Sequence, residues 1–178
     1  MGALRLRPAT PDDCALLRYW DEQPHVAEAS PNDDWGWEVE LARTPGWREQ
    51  LIAEADGRPI AFLQIIDPAR EESHYWGGVG PNLRAIDVWI GEADDLGRGY
   101  GTKIMELALA RCFAEPGVEA VLIDPLFART RARRFYERLG FRFVERRRLG
   151  EDDCAVYRMD RDGWQARRFS ERAPPRTE

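Results

Sequence analysis

Apolar residues alternate with polar ones along some stretches of this chain and recur every three to four residues along others. The switches between the two periods divide it into elements. Alternation in LRLRP (4–8) predicts a strand. Thr10 then offers an N-cap, Pro11 a first helical residue, and Asp12 and Asp13 acids for the positive end of a helix. Residues 24–47 hold no sustained period and read as irregular or shortly helical. LIAEADGRPIAFLQIID (51–67) reads as two strands around Asp56-Gly57, a strong hairpin signal. After the Gly-rich, aromatic loop SHYWGGVGPN (73–82) comes a strand, LRAIDVWIG (83–91), then a glycine segment and an apolar helix to about Glu115. VEAVLIDP (118–125) is a further strand. In TRARRFYERLG (130–140), Ala132, Phe135, Tyr136 and Leu139 fall at i, i+3, i+4 and i+7, one face of an amphipathic helix. FRFVERRR (141–148) and DDCAVYRM (152–159) close as a strand pair. The order is that of an α/β chain: a mixed sheet with helices on its faces.

Composition narrows this picture. At 178 residues and 43% apolar the chain reads as one domain, 1–170, with a tail at 171–178 expected to lack fixed structure. No apolar run approaches the ~20 residues that span a bilayer, and the N-terminal segment has no apolar signal core. Cys14, Cys112 and Cys154 are widely spaced and read as reduced thiols of a cytoplasmic protein. With only His25 and His74 as imidazoles, no metal site is expected. Charge is divided. Residues 1–95 hold 8 arginines and no lysine against 19 acids, a net of −11; residues 96–178 hold 18 basic residues against 13 acids, a net of +5. Beyond solvated surface, the division suits two ligands of opposite charge, an anion on the second half and a cation largely on the first. The acidic half argues against nucleic acid.

Gly97, Gly99 and Gly101 alternate with Arg98 and Tyr100 directly before the apolar helix. A P-loop requires glycine before its lysine, but Lys103 follows Thr102; a dinucleotide fingerprint requires glycine at 102. What remains is a run of backbone N–H groups at a helix start, which binds pyrophosphate through unsatisfied amides and the helix dipole, with Arg98 and Lys103 beside it.

Strand, GRGYG, apolar helix, strand and RRFYERLGF together resemble the GNAT superfamily of acyl-CoA-dependent N-acyltransferases. Gly99 and Gly101 take the small-residue positions of that family's coenzyme loop; Leu96 stands where Gln or Arg is usual. The pieces HVAE, GRPIAFLQ, YWGGVGPNLRAIDVWIG, LGRGYGTK, IDPLFARTRARRFYERLGF and AVYRM further resemble the aminoglycoside 6′-N-acetyltransferases, with Arg129 where that family has Asn. The resemblance implies a GNAT-like central mixed β-sheet flanked by helices, and acetyl transfer from acetyl-CoA to the 6′-amino group of an aminoglycoside. It implies coenzyme contacts from Val88, Ile90, Gly97, Arg98, Gly99, Tyr100, Gly101, Thr102, Lys103, Arg129 and Tyr136. It also implies an acceptor site using a tryptophan pair position filled here by Tyr75-Trp76, with Asp87 and Asp124.

The residues support this chemistry independently. A carboxylate at Asp87, mid-strand between Ile86 and Val88, is costly unless paired; it either meets an arginine or caps a loop, or it orients an ammonium and takes its proton. Asp124 ends a strand, where α/β sheets present ligands, or simply forms an Asp-Pro turn. Tyr136 packs in the core or protonates a departing thiolate. Trp35, Trp37, Tyr75 and Trp76 suit flat sugar faces and cations, and Gln64 alternates with apolar residues toward the same pocket. His25 reads as surface or packed, with substrate contact the lesser reading, and Cys112 as core. Expected partners are acetyl-CoA and a small polycationic acceptor, with no nucleic acid or membrane, in a monomer or weak homodimer. The rivals are a siderophore-type hydroxylamine or polyamine N-acyltransferase and a non-catalytic acyl-CoA sensor.

Overall fold

The computed structural model describes residues 3–172. Seven strands form one sheet in the order β1-β2-β3-β4-β5-β7-β6, with β1 at Leu4–Pro8, β2 at Arg48–Ala55, β3 at Arg58–Ile66, β4 at Leu83–Ile90, β5 at Ala120–Ile123, β6 at Arg142–Leu149 and β7 at Asp152–Asp160. All neighbours are antiparallel except β4 and β5. The mixed sheet and its strand sequence are those the pattern predicts. Asp56 and Gly57 both take positive φ, 51° and 82°, the backbone of a two-residue hairpin turn whose twist matches its strands.

The pleat sends alternate side chains to two helical layers. Ile86, Val88 and Ile90 of β4 face α4 (Tyr100–Ala114), whose Ile104, Met105, Ala108, Leu109 and Cys112 are buried in the main core. Phe62 and Trp89 face the other layer, α1 (Cys14–Asp21) and the short α2 (Pro24–Ala27) and α3 (Trp37–Glu40), with Leu17, Trp20 and Trp37. A 3-10 turn, Pro11–Asp13, leads into α1, and the Asp13 carboxylate accepts the Thr10 N–H at 2.8 Å while pairing with Arg7.

Two departures from the sequence reading matter. A further helix, α6 (Arg161–Arg172), follows β7, so Glu171 and Arg172 continue a helix; residues 173–178 lie outside the described residues. Tertiary contacts hold α6: Trp164 stacks on Phe113, and Arg161 donates to the carbonyls of Phe113, Glu115 and Val118 around the end of α4. Secondly, β4 and β5 pair only over Leu83↔Ala120, Arg84↔Val121 and Ala85↔Leu122, while β4 continues to Ile90 along β3. The sheet therefore opens beside Ile86–Ile90, between β4 and α5 (Thr130–Arg138). Among the described residues no helix is long and apolar enough to cross a membrane.

Candidate active site

The glycine segment stands at the mouth of this opening. A 3-10 turn, Ala93–Asp95, precedes it, and buried Asp95 is gripped bidentately by Arg58 at 2.8 Å. Gly97 and Gly99 then take φ of 73° and 83°, conformations that a side chain with a Cβ rarely adopts. The turn they make starts α4 with Gly99 as N-cap, so the first-turn amides lack intrahelical acceptors. Gly101 lies against the neighbouring helix: a Cβ there would sit 3.4 Å from the Phe135 ring. Arg98 and Lys103 are exposed beside the bare amides, and Arg98 also reaches over the Tyr100 ring. Tyr100, expected at the coenzyme within the run of backbone N–H groups, turns its side chain inward. Its ring is 8% exposed and belongs to the main core, because it is the apolar anchor of the helix's first turn, leaving only its backbone beside the loop.

Inside the opening lies a cavity of about 180 Å³, lined among others by Trp35, Asp87, Val88, Asp124, Arg129 and Tyr136. A second chamber of about 220 Å³, with Gln64, Glu71, Ser73 and Trp76 in its wall, adjoins it; Asp33, Trp35, Tyr75 and Asp87 border both. Gln64 and Asp87 are register partners across β3 and β4, so the Gln64 amide donates to the Asp87 carboxylate at 2.6 Å. Among the described residues Asp87 has no ion pair with an arginine or lysine. Asp124, just past β5, accepts the Tyr75 hydroxyl at 2.7 Å.

Two acids that the sequence reading did not single out complete the group. Asp33, at the exposed mouth, comes from the irregular segment before α3, where no periodicity marks it. Asp152, at the start of β7, accepts Asn32 at 2.6 Å. Four carboxylates thus converge, and among the described residues none of them pairs with a cation, since Arg129 and Arg48 in the walls are held by Glu28 and Glu40. Burial raises the Asp87 carboxyl above its ordinary value. Asp124 is pushed up to about 7, by burial first and then by the charge of Asp87. Desolvation in the cleft, followed by the charge of Asp87, brings Asp33 to about 6. The Tyr136 phenol is raised by burial and by Asp87 and Asp124, so it stays a proton donor. Cys154 also lines the cavity, but burial raises its thiol to about 12, and Cys112, similarly raised, is core. Neither is an activated nucleophile.

Trp37 is a correction. It is 2% exposed, stacks on Trp35 with ring centroids 5.2 Å apart, and donates its indole N–H to Asp21. Both rings pack against Phe62 and Trp89, but Trp37 lies beneath Trp35, tied to Asp21 of α1, and Trp35 alone of the pair borders the cavity. Arg129, expected as a coenzyme contact, lies in the first chamber's wall with its guanidinium on Glu28 at 3.1 Å.

A family model described as "Acetyltransferase (GNAT) domain" matches residues 9–149. The chain belongs to the GNAT acetyltransferase family. Aminoglycoside N(6')-acetyltransferase type 1 of Klebsiella pneumoniae is 29% identical over 153 residues, 78% of this acetyltransferase and 74% of that protein. Lysine N-acyltransferase MbtK of Mycolicibacterium paratuberculosis is 29% identical over 167 residues, 86% and 70% of the two chains. Among solved structures, aminoglycoside acetyltransferase AAC(6')-Ib with coenzyme A and kanamycin superposes with a TM-score of 0.83 at 25% identity, covering 93% of this chain and 99% of that one. Acetyl-CoA is accordingly this acetyltransferase's acyl donor. The bare amides at the α4 start fit a pyrophosphate, and the unpaired edge of β4 fits an amide-bearing arm leading inward.

Proposed function

We propose that this acetyltransferase transfers acetyl from acetyl-CoA to the 6′-amino group of an aminoglycoside. The observation that carries the reading is the convergence of Asp33, Asp87, Asp124 and Asp152 on one cleft, none of them paired with a cation among the described residues. Such a site is incomplete until several ammonium groups enter it, and each contact selects an acceptor with several amines. Similarity to the aminoglycoside N(6')-acetyltransferases supports the same acceptor.

In this reading Asp124 and Asp33 hold neighbouring ammonium groups, Trp35 and Tyr75 offer ring faces to the sugars, and Asp87 takes a proton from the reacting ammonium. The neutral amine attacks the thioester carbonyl and an N–C bond forms. As the C–S bond breaks, the Tyr136 hydroxyl protonates the leaving sulfur. A second amine proton, passed through water, restores the phenol, so one proton leaves per turnover. No acyl-enzyme is needed, consistent with thiols held protonated at Cys154 and Cys112. Gly97 to Lys103, with Val88 and Ile90, hold the coenzyme.

The similarity to a lysine N-acyltransferase favours a second reading, an amino-acid side-chain amine as acceptor. Thiol release from acetyl-CoA decides between them. A 6′-amino aminoglycoside should react at least ~100-fold faster than its 6′-hydroxyl analogue and than lysine. Faster release with lysine would overturn the aminoglycoside reading.

A further inference from the structure

Among the described residues, His25 is the side chain that bonds to the open edge of β4. Gly91 donates its N–H to the Ile60 carbonyl of β3 at 2.9 Å. Strand alternation therefore turns the backbone groups of Val88 and Ile90 the other way, into the gap beyond the last β5 partner, Ala85↔Leu122. There Nε2 of His25 lies 2.8 Å from the Ile90 carbonyl oxygen. A carbonyl only accepts, so Nε2 carries the hydrogen. His25 stands on α2, a single turn begun by Pro24 and seated by buried Val26.

We propose that His25 is a positioning residue for the acyl donor: by occupying the Ile90 carbonyl it sets the register of the pantetheine arm along β4. The arm must run from the α4 start, beyond Ile90, to the thioester beside Asp87. Its amides pair with a strand edge as another strand would, and an edge with repeating acceptors permits slippage. One step of slippage is two residues, ~7 Å, which removes the thioester from the acceptor amine. With Ile90 occupied, Val88 is the first carbonyl available to an arm entering from the loop, and the Val88 and Ile90 N–H groups are its donors. The inference rests on the coenzyme and not on which amine is acetylated.

The test compares His25→Ala, His25→Gln and His25→Asn, since a glutamine amide reaches where Nε2 was and an asparagine amide falls short. Residue-resolved amide exchange with coenzyme A bound, which needs no acceptor, should show Val88 and Ile90 protected in the wild type and in His25→Gln. In His25→Ala and His25→Asn that protection should fall at least ~5-fold, while the first-turn amides of α4 remain protected. With any accepted amine, kcat should fall ~10–100-fold in the Ala and Asn variants, for acetyl-CoA and for S-acetyl-pantetheine alike, with the acceptor KM unchanged. Glutamine should restore kcat to within ~3-fold. If His25→Ala does not fold, the Gln and Asn pair carries the comparison. Unchanged protection at Val88 and Ile90, equal behaviour of Gln and Asn, or a loss that follows only a lowered Tm would each overturn the proposal.

Discussion

At the scale of single residues, the cleft acids carry opposing consequences for folding and for binding. Asp87 is the proposed base, so Asp87→Asn should lower kcat/KM for the acceptor ~10²–10⁴-fold. Its coenzyme A dissociation constant, read by calorimetry, should stay within about 3-fold. A near-wild-type rate would remove Asp87 from the chemistry. Asp124 has a folded-state pKa raised to about 7. Stability from such a group is fully present below the unfolded carboxyl's pKa and is lost as pH rises through about 7. Asp124→Asn keeps an acceptor for Tyr75 and removes the charge. At pH 8 it should therefore raise the stability of the ligand-free enzyme by on the order of 1 kcal/mol, while weakening acceptor binding. Denaturant titration at pH 5 and pH 8 checks the sign: the gain should shrink at the lower pH.

At the scale of elements, the loop before α4 and the parting of β4 from β5 together make the coenzyme's path. Gly99 holds φ of 83°, which a β-branched residue cannot adopt without strain. Gly99→Val should weaken coenzyme A binding at least ~10-fold, with the acceptor's own affinity little changed. Retained coenzyme affinity in a folded variant would show that the α4 amides are not the anion site. The Arg58 grip on Asp95 belongs to the same device, since it fixes the chain from which the glycine turn departs.

At the scale of the whole molecule, acids and bases separate in space but not by halves of the chain, since Asp33 and Asp87 come from the acidic first half and Asp124 and Asp152 from the basic second. The acids of the cleft come from four separate parts of the sequence, and the exposed Arg98 and Lys103 flank the glycine turn before α4. Steering of this kind is screened by salt. Raising ionic strength from ~0.05 to ~0.5 M should lower kcat/KM for a polycationic acceptor ~10-fold, and for a monoamine by much less. Equal salt dependence for both amines would show that only one carboxylate engages the acceptor.

Local sequence determined much of this protein. Period and turn chemistry are properties of short segments, so the Asp56-Gly57 hairpin, the apolar helix after the glycines and the stripe of Ala132, Phe135, Tyr136 and Leu139 were legible from the residues. So was the oddity of Asp87, a carboxylate where a strand rarely carries one. Other features depend on which segments meet. Trp35 and Trp37 look alike in sequence and both pack against Phe62 and Trp89, yet Trp37 is buried with its indole N–H on Asp21 while Trp35 borders the cleft. Asp33 and Asp152 carry no local signal, because their role arises from the approach of an irregular loop and a hairpin end to β4. Residues 161–170 show no element in the sequence reading; α6 forms there because Trp164 finds Phe113 and Arg161 finds the carbonyls around the end of α4. The opening of the sheet is likewise tertiary, since β5 stops at Ile123 while β4 runs on to Ile90 beside β3. Short-range propensity fixes elements; desolvation and charge, which make a site, depend on neighbours that only folding supplies.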